Sequence, residues 1–251
     1  MKDHSQDPLA CLIAAKPAFG ISDEAEWLTE LTNQALPLGS VNWLEVGAGD
    51  GRHLIQQLER LSSGRQIRAV ALEPSNSANP PALPPIRWLR ARVEDYVPDC
   101  QFDWINMRHS AYYITDALGQ IDRLSACLAD HGSIAVTHWS RDCVLYRLHV
   151  AITGTTPEGA AAGIEDLAAA LAATGRLLIS TIKYHDAELL VERMAADATI
   201  GAAVFELARR ARVSALPAGT DRVAFATEVI RAASCARVRR NGVVLIRRRC
   251  G

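Results

Sequence analysis

Lysine is almost absent from this chain: three of its 27 basic residues are Lys2, Lys16 and Lys183, and the remaining 24 are arginine. The bias reads as the codon composition of a GC-rich bacterium and carries no chemistry. An excess of either charge is also missing. The 27 basic side chains meet 28 acidic ones for a net charge of −1, which excludes capture of a nucleic-acid backbone by the chain as a whole. No apolar run approaches the ~20 residues of a membrane span, so no membrane partner is expected. Residues 1–8 carry charge without an apolar stretch, which predicts no secretory leader. The six cysteines (Cys11, Cys100, Cys127, Cys143, Cys235, Cys250) include no CxxC pair, and no histidine stands at zinc-finger spacing. That scatter fits a reducing cytoplasm and predicts neither a disulfide framework nor a metal site.

What is present is an alternation. Hydrophobic residues make up 49% of 251 positions, enough for one large domain over residues 1–251 with a real core. Ala25, Leu28, Leu31 and Leu36 predict a helix over 23–35, capped by Ser22 or Asp23. Strands are expected at 41–46, 67–72, 86–91, 102–107, 133–137 and 177–184, and a last one at 243–248. Helices are expected at 54–61, 119–128 and 159–174, with four prolines marking 75–85 as loop. Asp130-His131-Gly132 and Asn241-Gly242 each predict a turn. Such alternation implies an α/β fold, a mostly parallel sheet with helices on both faces. Residues 187–234 read as helix only and are too long for a hairpin loop. The expectation is a helical cap insertion over 187–235, folded across one end of the sheet, with the N-terminal helical segment 1–38 contributing to the same site.

The stretch after the first strand is the most informative. Gly47, Gly49 and Gly51 alternate directly between a strand and a helix, which permits positive φ and close approach of a ligand to the backbone. A dinucleotide fingerprint wants Gly or Ala where Arg52 stands, and Glu45 and Asp50 put negative charge where a pyrophosphate would sit. S-adenosylmethionine (SAM) presents an ammonium and a sulfonium to such a loop, and the same acids then favour it. Glu73, ending the second strand, is placed to take both ribose hydroxyls.

With Glu73-Pro74 following, the Glu45, Gly47, Gly49, Gly51 run resembles the first two motifs of class I SAM-dependent methyltransferases. Within that superfamily, three stretches resemble the histamine N-methyltransferase family: residues 19–24, residues 72–75, and residues 102–107 continued by 111–116. The resemblance covers most of 17–249 and implies a Rossmann-like class I fold: seven strands, mostly parallel, the last antiparallel, with a helical insertion before it.

The resemblance also implies roles, each set against a plainer alternative. Glu24 falls where the family carries a carboxylate for the substrate's cationic amine, or it is a solvated residue of a first helical turn. His109 stands where the family has a substrate-contacting glutamine, at the carboxyl edge of the fourth strand; it either accepts a proton or only hydrogen-bonds. Arg108 occupies a position whose backbone contacts the cofactor, its side chain otherwise in solvent. Glu94, with Asp95, either reads the adenine amino group or caps a short helix. Tyr112 and Tyr113 resemble a pair near the pocket, one of which is core because adjacent residues cannot both face a ligand. Asn241 sits near a substrate-site asparagine, or in a hairpin turn.

The arginines at 237, 239, 240 and 247–249 are expected to protect a charged edge strand rather than to bind RNA. Arg108-His109-Ser110-Ala111 lacks the Asn/Asp-Pro-Pro-aromatic motif of nucleobase methylation, which points away from nucleic acid. The expectation is a cytoplasmic bacterial N-methyltransferase acting on a small amine or imidazole-bearing acceptor, with no metal. An O-methyltransferase of a hydroxyl or carboxylate, or a non-catalytic SAM-binding partner subunit, are the alternatives.

Overall fold

The computed structural model describes residues 14–18, 24–76, 85–153, 163–180, 182–209 and 238–248, with the isolated positions 224, 227, 228 and 231. The predicted cap residues Ser22 and Asp23 and most of the loop at 75–85 lie outside these, as does the helical block after 209 apart from the four isolated positions.

Strand β1 (Gly39–Val46) buries five of its six positions from Val41 onward, four of them in a row, the signature of a strand covered on both faces. It pairs in parallel with β2 (Arg65–Leu72) on one side and β4 (Phe102–Arg108) on the other. β3 (Ile86–Leu89) extends the sheet beyond β2, and β5 (Leu128–Trp139) lies beyond β4. Beyond β5 runs β8 (Val238–Arg248), antiparallel, followed by β6 (Leu177–Ile179) and β7 (Lys183–Glu188), which pair with successive halves of β8. Ile179 pairs with Ile246 and Lys183 with Val243, so four steps along one side match three along the other. The eight strands are therefore seven sheet positions, the expected strand at 177–184 being interrupted by one extra residue. The order is β3-β2-β1-β4-β5-β8-β6.

Helices cover both faces. α1 (Glu24–Ala35) and α2 (Arg52–Leu61) bury Leu28, Leu31, Leu54, Leu58 and Leu61 against Trp43, Trp104 and Val243. α3 (Ala117–Ser125) and α5 (Ile164–Ala173) bury Ile121, Leu124, Leu167 and Leu171 against Leu44, Ile105 and Val244. Each such leucine contributes roughly 1.5–3 kcal/mol by leaving water. A third cluster gathers at the carboxyl end of β5 around Trp139: α4 (Val144–Thr153), α6 (Val191–Ala196), α7 (Ala198–Arg209) and residues Ala15 and Ala18. Among the described residues no helix is long and apolar enough to cross a membrane.

Several sequence expectations are corrected. The strand expected over 86–91 is shorter, Ile86–Leu89. The helix expected over 119–128 ends at Ser125, and Leu128 already pairs with Phe102. Asp130-His131-Gly132 is a bulge inside β5, because the register jumps from Phe102↔Leu128 to Trp104↔Ser133. Asn241-Gly242 is no turn but the middle of β8. The strand bearing Arg240, Arg247 and Arg248 is not an edge, since β5 flanks it on one side and β6 and β7 on the other. The block expected to be all helix begins with strand, as β7 runs to Glu188.

Candidate active site

The carboxyl ends of β1, β2 and β4 meet where the glycine loop begins. Gly47, Gly49 and Gly51 have φ of 74°, 59° and 79°, a left-handed backbone that suits glycine. A Cβ on Gly47 would lie 2.5 Å from Ser110 Cβ, so this loop packs directly on the loop that follows β4. Gly47→Ala is expected to cost roughly 1–3 kcal/mol through overpacking and backbone strain together. A chemical-denaturation midpoint unchanged in that variant would contradict the contact. Glu73, just past β2, is held by two backbone amides: Gly49 N–H donates to Oε2 at 2.8 Å and Ser75 N–H to Oε1 at 2.9 Å. Each oxygen keeps a lone pair for a further donor. Exposed Pro74 follows it, and Glu94 and Asp95 are exposed in a 3-10 turn, Val93–Asp95, after β3.

Glu45 differs from its expected place. Its side chain is buried on the α1–α2 face of the sheet, where Trp43 Nε1 donates at 2.9 Å and Asn106 Nδ2 at 3.0 Å to each oxygen. Burial pushes its pKa from 4.5 up to about 7, against the opposing pull of the Trp43 and Asn106 hydrogen bonds and the Arg108 charge. It underlies the loop rather than framing it by contact.

The second half of the site is built on Glu24, the first residue of α1. Two contacts hold that helix. Arg65 donates to the carbonyls of Asn33, Leu36 and Pro37 at the helix end, and Gln57 Nε2 donates to Thr32 Oγ1 at 3.1 Å against α2. Glu24 is therefore not the solvated first-turn residue of the plainer reading but 1% exposed. Arg108 donates to Glu24 Oε2 through Nε at 3.2 Å and through Nη2. Asn241 Nδ2 donates to Oε1 at 2.5 Å, and His109 Nε2 lies 3.2 Å from the same oxygen. The Arg108 side chain thus turns to Glu24, not to solvent, and any cofactor contact at this position belongs to its backbone.

His109 is the only non-glycine residue with positive φ, 52°, among the described residues. Its Nδ1 meets the Tyr112 hydroxyl. Tyr112 packs against His138 and Trp139 at ring-centroid distances of 4.4 and 5.2 Å, whereas Tyr113 is 41% exposed. One tyrosine thus faces inward and the other outward. Asn241 is buried, and its Oδ1 has no hydrogen-bond partner among the described residues. Glu24, His109, Tyr112 and Asn241 come together. Tyr113 stands at their rim, and Glu94 and Pro74 lie apart. The Arg108–Glu24 pair was missed from sequence, where neither the burial of Glu24 nor a contact across 84 residues leaves a local signal.

This geometry has known counterparts. The model of a family described as "Methyltransferase domain" matches residues 21–208, more than half of the chain. The YcgJ protein from Bacillus subtilis is similar over 90% of this chain and 100% of its own, with a TM-score of 0.59 and 13% identity. The N-methyltransferase NodS from Bradyrhizobium japonicum WM9 is similar over 90% and 94%, with a TM-score of 0.52 and 14% identity. The plantazolicin methyltransferase BpumL, solved with SAH, covers 98% and 88%, with a TM-score of 0.50 and 12% identity. No curated protein sequence matches. At these identities the solved structures establish the fold alone, the class I methyltransferase arrangement. With the family model spanning both the glycine loop and the Glu24–His109 cluster, the chain belongs to the methyltransferase-domain family.

Proposed function

We propose that this methyltransferase passes the methyl group of SAM to a ring nitrogen of a small imidazole-bearing acceptor. Bound SAM supplies an electrophilic methyl on a sulfonium centre. The residues present fit that cofactor: a side chain at Gly47 or Gly51 would collide with Ser110 or Trp88, and Glu73 offers a pre-oriented carboxylate beside them. Gly47, Gly49, Gly51 and Glu73 would hold it, with Pro74 and Glu94 at the rim and the buried Glu45 underlying the loop.

The state of Glu24 carries the acceptor reading. A protonated aliphatic amine needs an anion to receive it, and the charge of Glu24 is already matched by Arg108. An imidazole arrives neutral and needs instead an acceptor for its N–H. Two such acceptors stand in the group: the Tyr112 hydroxyl, and Asn241 Oδ1, whose orientation is fixed because Nδ2 donates to Glu24. Tyr112 stands edge-on to the half-exposed Tyr113 and tilted against Trp139, an aromatic wall beside this group. The resemblance to histamine N-methyltransferases is supported by Glu24, His109 and Asn241 lying in one hydrogen-bonded group. Helices α4, α6 and α7 would wall the acceptor end. A hydroxyl acceptor is the second reading, because the same groups receive an O–H as readily as an N–H.

Calorimetry with SAM is expected to show at least tenfold weaker binding for Glu73→Ala and Gly49→Val, the loss of one or two charge-assisted contacts. Normal binding by both would overturn the cofactor site. A methyl-release panel of imidazoles, aliphatic amines, phenols and carboxylic acids is expected to favour imidazoles. Faster transfer to aliphatic amines would overturn the acceptor reading, and no transfer with tight SAM binding would mark a partner subunit.

A further inference from the structure

The hydrogen bonds around His109 set the direction in which a proton can travel. Glu24 accepts from Arg108 Nε and Nη2 and from Asn241 Nδ2, and His109 Nε2 lies 3.2 Å from its Oε1. Ringed by these donors, Glu24 is an acceptor-only carboxylate, so the His109 Nε2 contact carries its hydrogen on nitrogen. A neutral imidazole protonated at Nε2 has a bare Nδ1. The group at that nitrogen is the Tyr112 hydroxyl, which is then the donor. Both ring nitrogens are engaged, and what His109 acts upon is the phenol.

We propose that Tyr112, rather than His109, meets the N–H of the acceptor, and that Tyr112, His109 and Glu24 form a proton relay leading out of the acceptor pocket. This rests on the methyltransferase reading only for the identity of the molecule that gives up the proton. The N–H bond of the acceptor breaks toward Tyr112 Oη while the Tyr112 O–H bond breaks toward His109 Nδ1. The N–H electron pair stays on the acceptor as its nucleophilic lone pair, the phenol ends as it began, and His109 becomes an imidazolium beside Glu24. One proton moves and nothing is oxidised or reduced. The His109 side chain is 22% exposed, which gives that proton a route to solvent.

The surroundings hold Tyr112 to this task. Its ring is pinned edge-on to His138 and tilted against Trp139, so the phenol keeps one orientation. The loop that carries it packs against Gly47 through Ser110, next to the cofactor loop. The left-handed backbone at His109 turns the imidazole back between Tyr112 and Glu24. Tyr112 is thus the catalytic residue, and His109 and Glu24 are positioning residues acting through it.

The test needs no acceptor. In 15N-edited NMR of the histidine rings in the full chain, with His109 assigned by its loss in His109→Asn, the expected neutral form is protonated at Nε2 and bare at Nδ1. Tyr112→Phe is expected to move the His109 Nδ1 resonance and leave exposed His131 unchanged, with circular dichroism confirming the fold. A hydrogen on Nδ1, or an Nδ1 signal indifferent to Tyr112→Phe, overturns the relay. With 4-methylimidazole as probe acceptor, Tyr112→Phe is expected to lower kcat about 100-fold with KM within about twofold. A loss below about threefold overturns the role of Tyr112. No turnover in the wild type would count against the acceptor reading, leaving the NMR result to decide the relay.

Discussion

Glu24→Ala is expected to destabilise the chain by roughly 3 kcal/mol, the low end for breaking a buried ion pair by removing one partner. At ~2–4 °C per kcal/mol for a chain of this size, the melting temperature would fall by roughly 6–12 °C. The reason is what remains behind. The Arg108 side chain is 13% exposed and Glu24 2%, so the truncation leaves a guanidinium and the Asn241 amide without their acceptor in a region closed to water. Removing the stranded charge as well should recover much of the loss, so Glu24→Ala with Arg108→Met is expected to melt above Glu24→Ala alone. Differential scanning calorimetry of the wild type and the two variants decides it. A single variant within about 1 kcal/mol of wild type, the range of an exposed pair, would mean that the pair is solvent-screened.

The second large effect is a dependence of stability on pH that comes from Glu45. Burial raises its pKa from 4.5 to about 7, so the folded state binds this proton more tightly than the unfolded chain. The stability it contributes is fully present below about 4.5 and is lost as pH rises through about 7. Some 2.5 units at 1.36 kcal/mol each amount to roughly 3 kcal/mol in all, about 2.5 kcal/mol of it between pH 5 and 8. Asp166 and Asp186, held below the usual carboxylate range by Arg141 and Arg240, act in the opposite direction at lower pH. Glu45→Gln isolates the effect, since it keeps the shape and cannot ionise. Urea unfolding at pH 5, 6, 7 and 8 is expected to show the wild type losing stability relative to Glu45→Gln across that range. Parallel curves would mean that water reaches Glu45.

The parts of this molecule legible in its sequence are those set by local pattern. Gly47, Gly49 and Gly51 announce their loop because a backbone with positive φ leaves little choice of residue. Leu54, Leu58 and Leu61 announce α2 because one face of that helix is apolar and the rest is charged or polar. Helix α4 went unseen for the opposite reason: Val144-Leu145-Tyr146 opens it with three buried residues in a row, and no period stands out. Asn241-Gly242 carries every local mark of a turn, yet β5 and β7 pair on either side of it and keep it extended. The candidate site was half legible. A family pattern pointed to Glu24, His109 and Asn241 singly, but their mutual hydrogen bonds and the Arg108 partner are tertiary facts with no footprint in residue spacing.

The hydrogen bond between Glu24 and Asn241 joins positions 217 residues apart, and it sets a timetable for synthesis. Arg108 and His109 reach Glu24 across 84 and 85 residues, a closure available once the first four strands have been made. Asn241 arrives only with β8, which must fit between β5 on one side and β6 and β7 on the other. Long-range pairing of this kind is slow, because loop-closure entropy is lost before the contacts form. A ribosome-bound chain stopped before Asn241 would therefore hold the glycine loop and the Arg108–Glu24 pair but lack the amide that donates to Glu24 Oε1. The Glu24 cluster is thus complete only when β8 is in place.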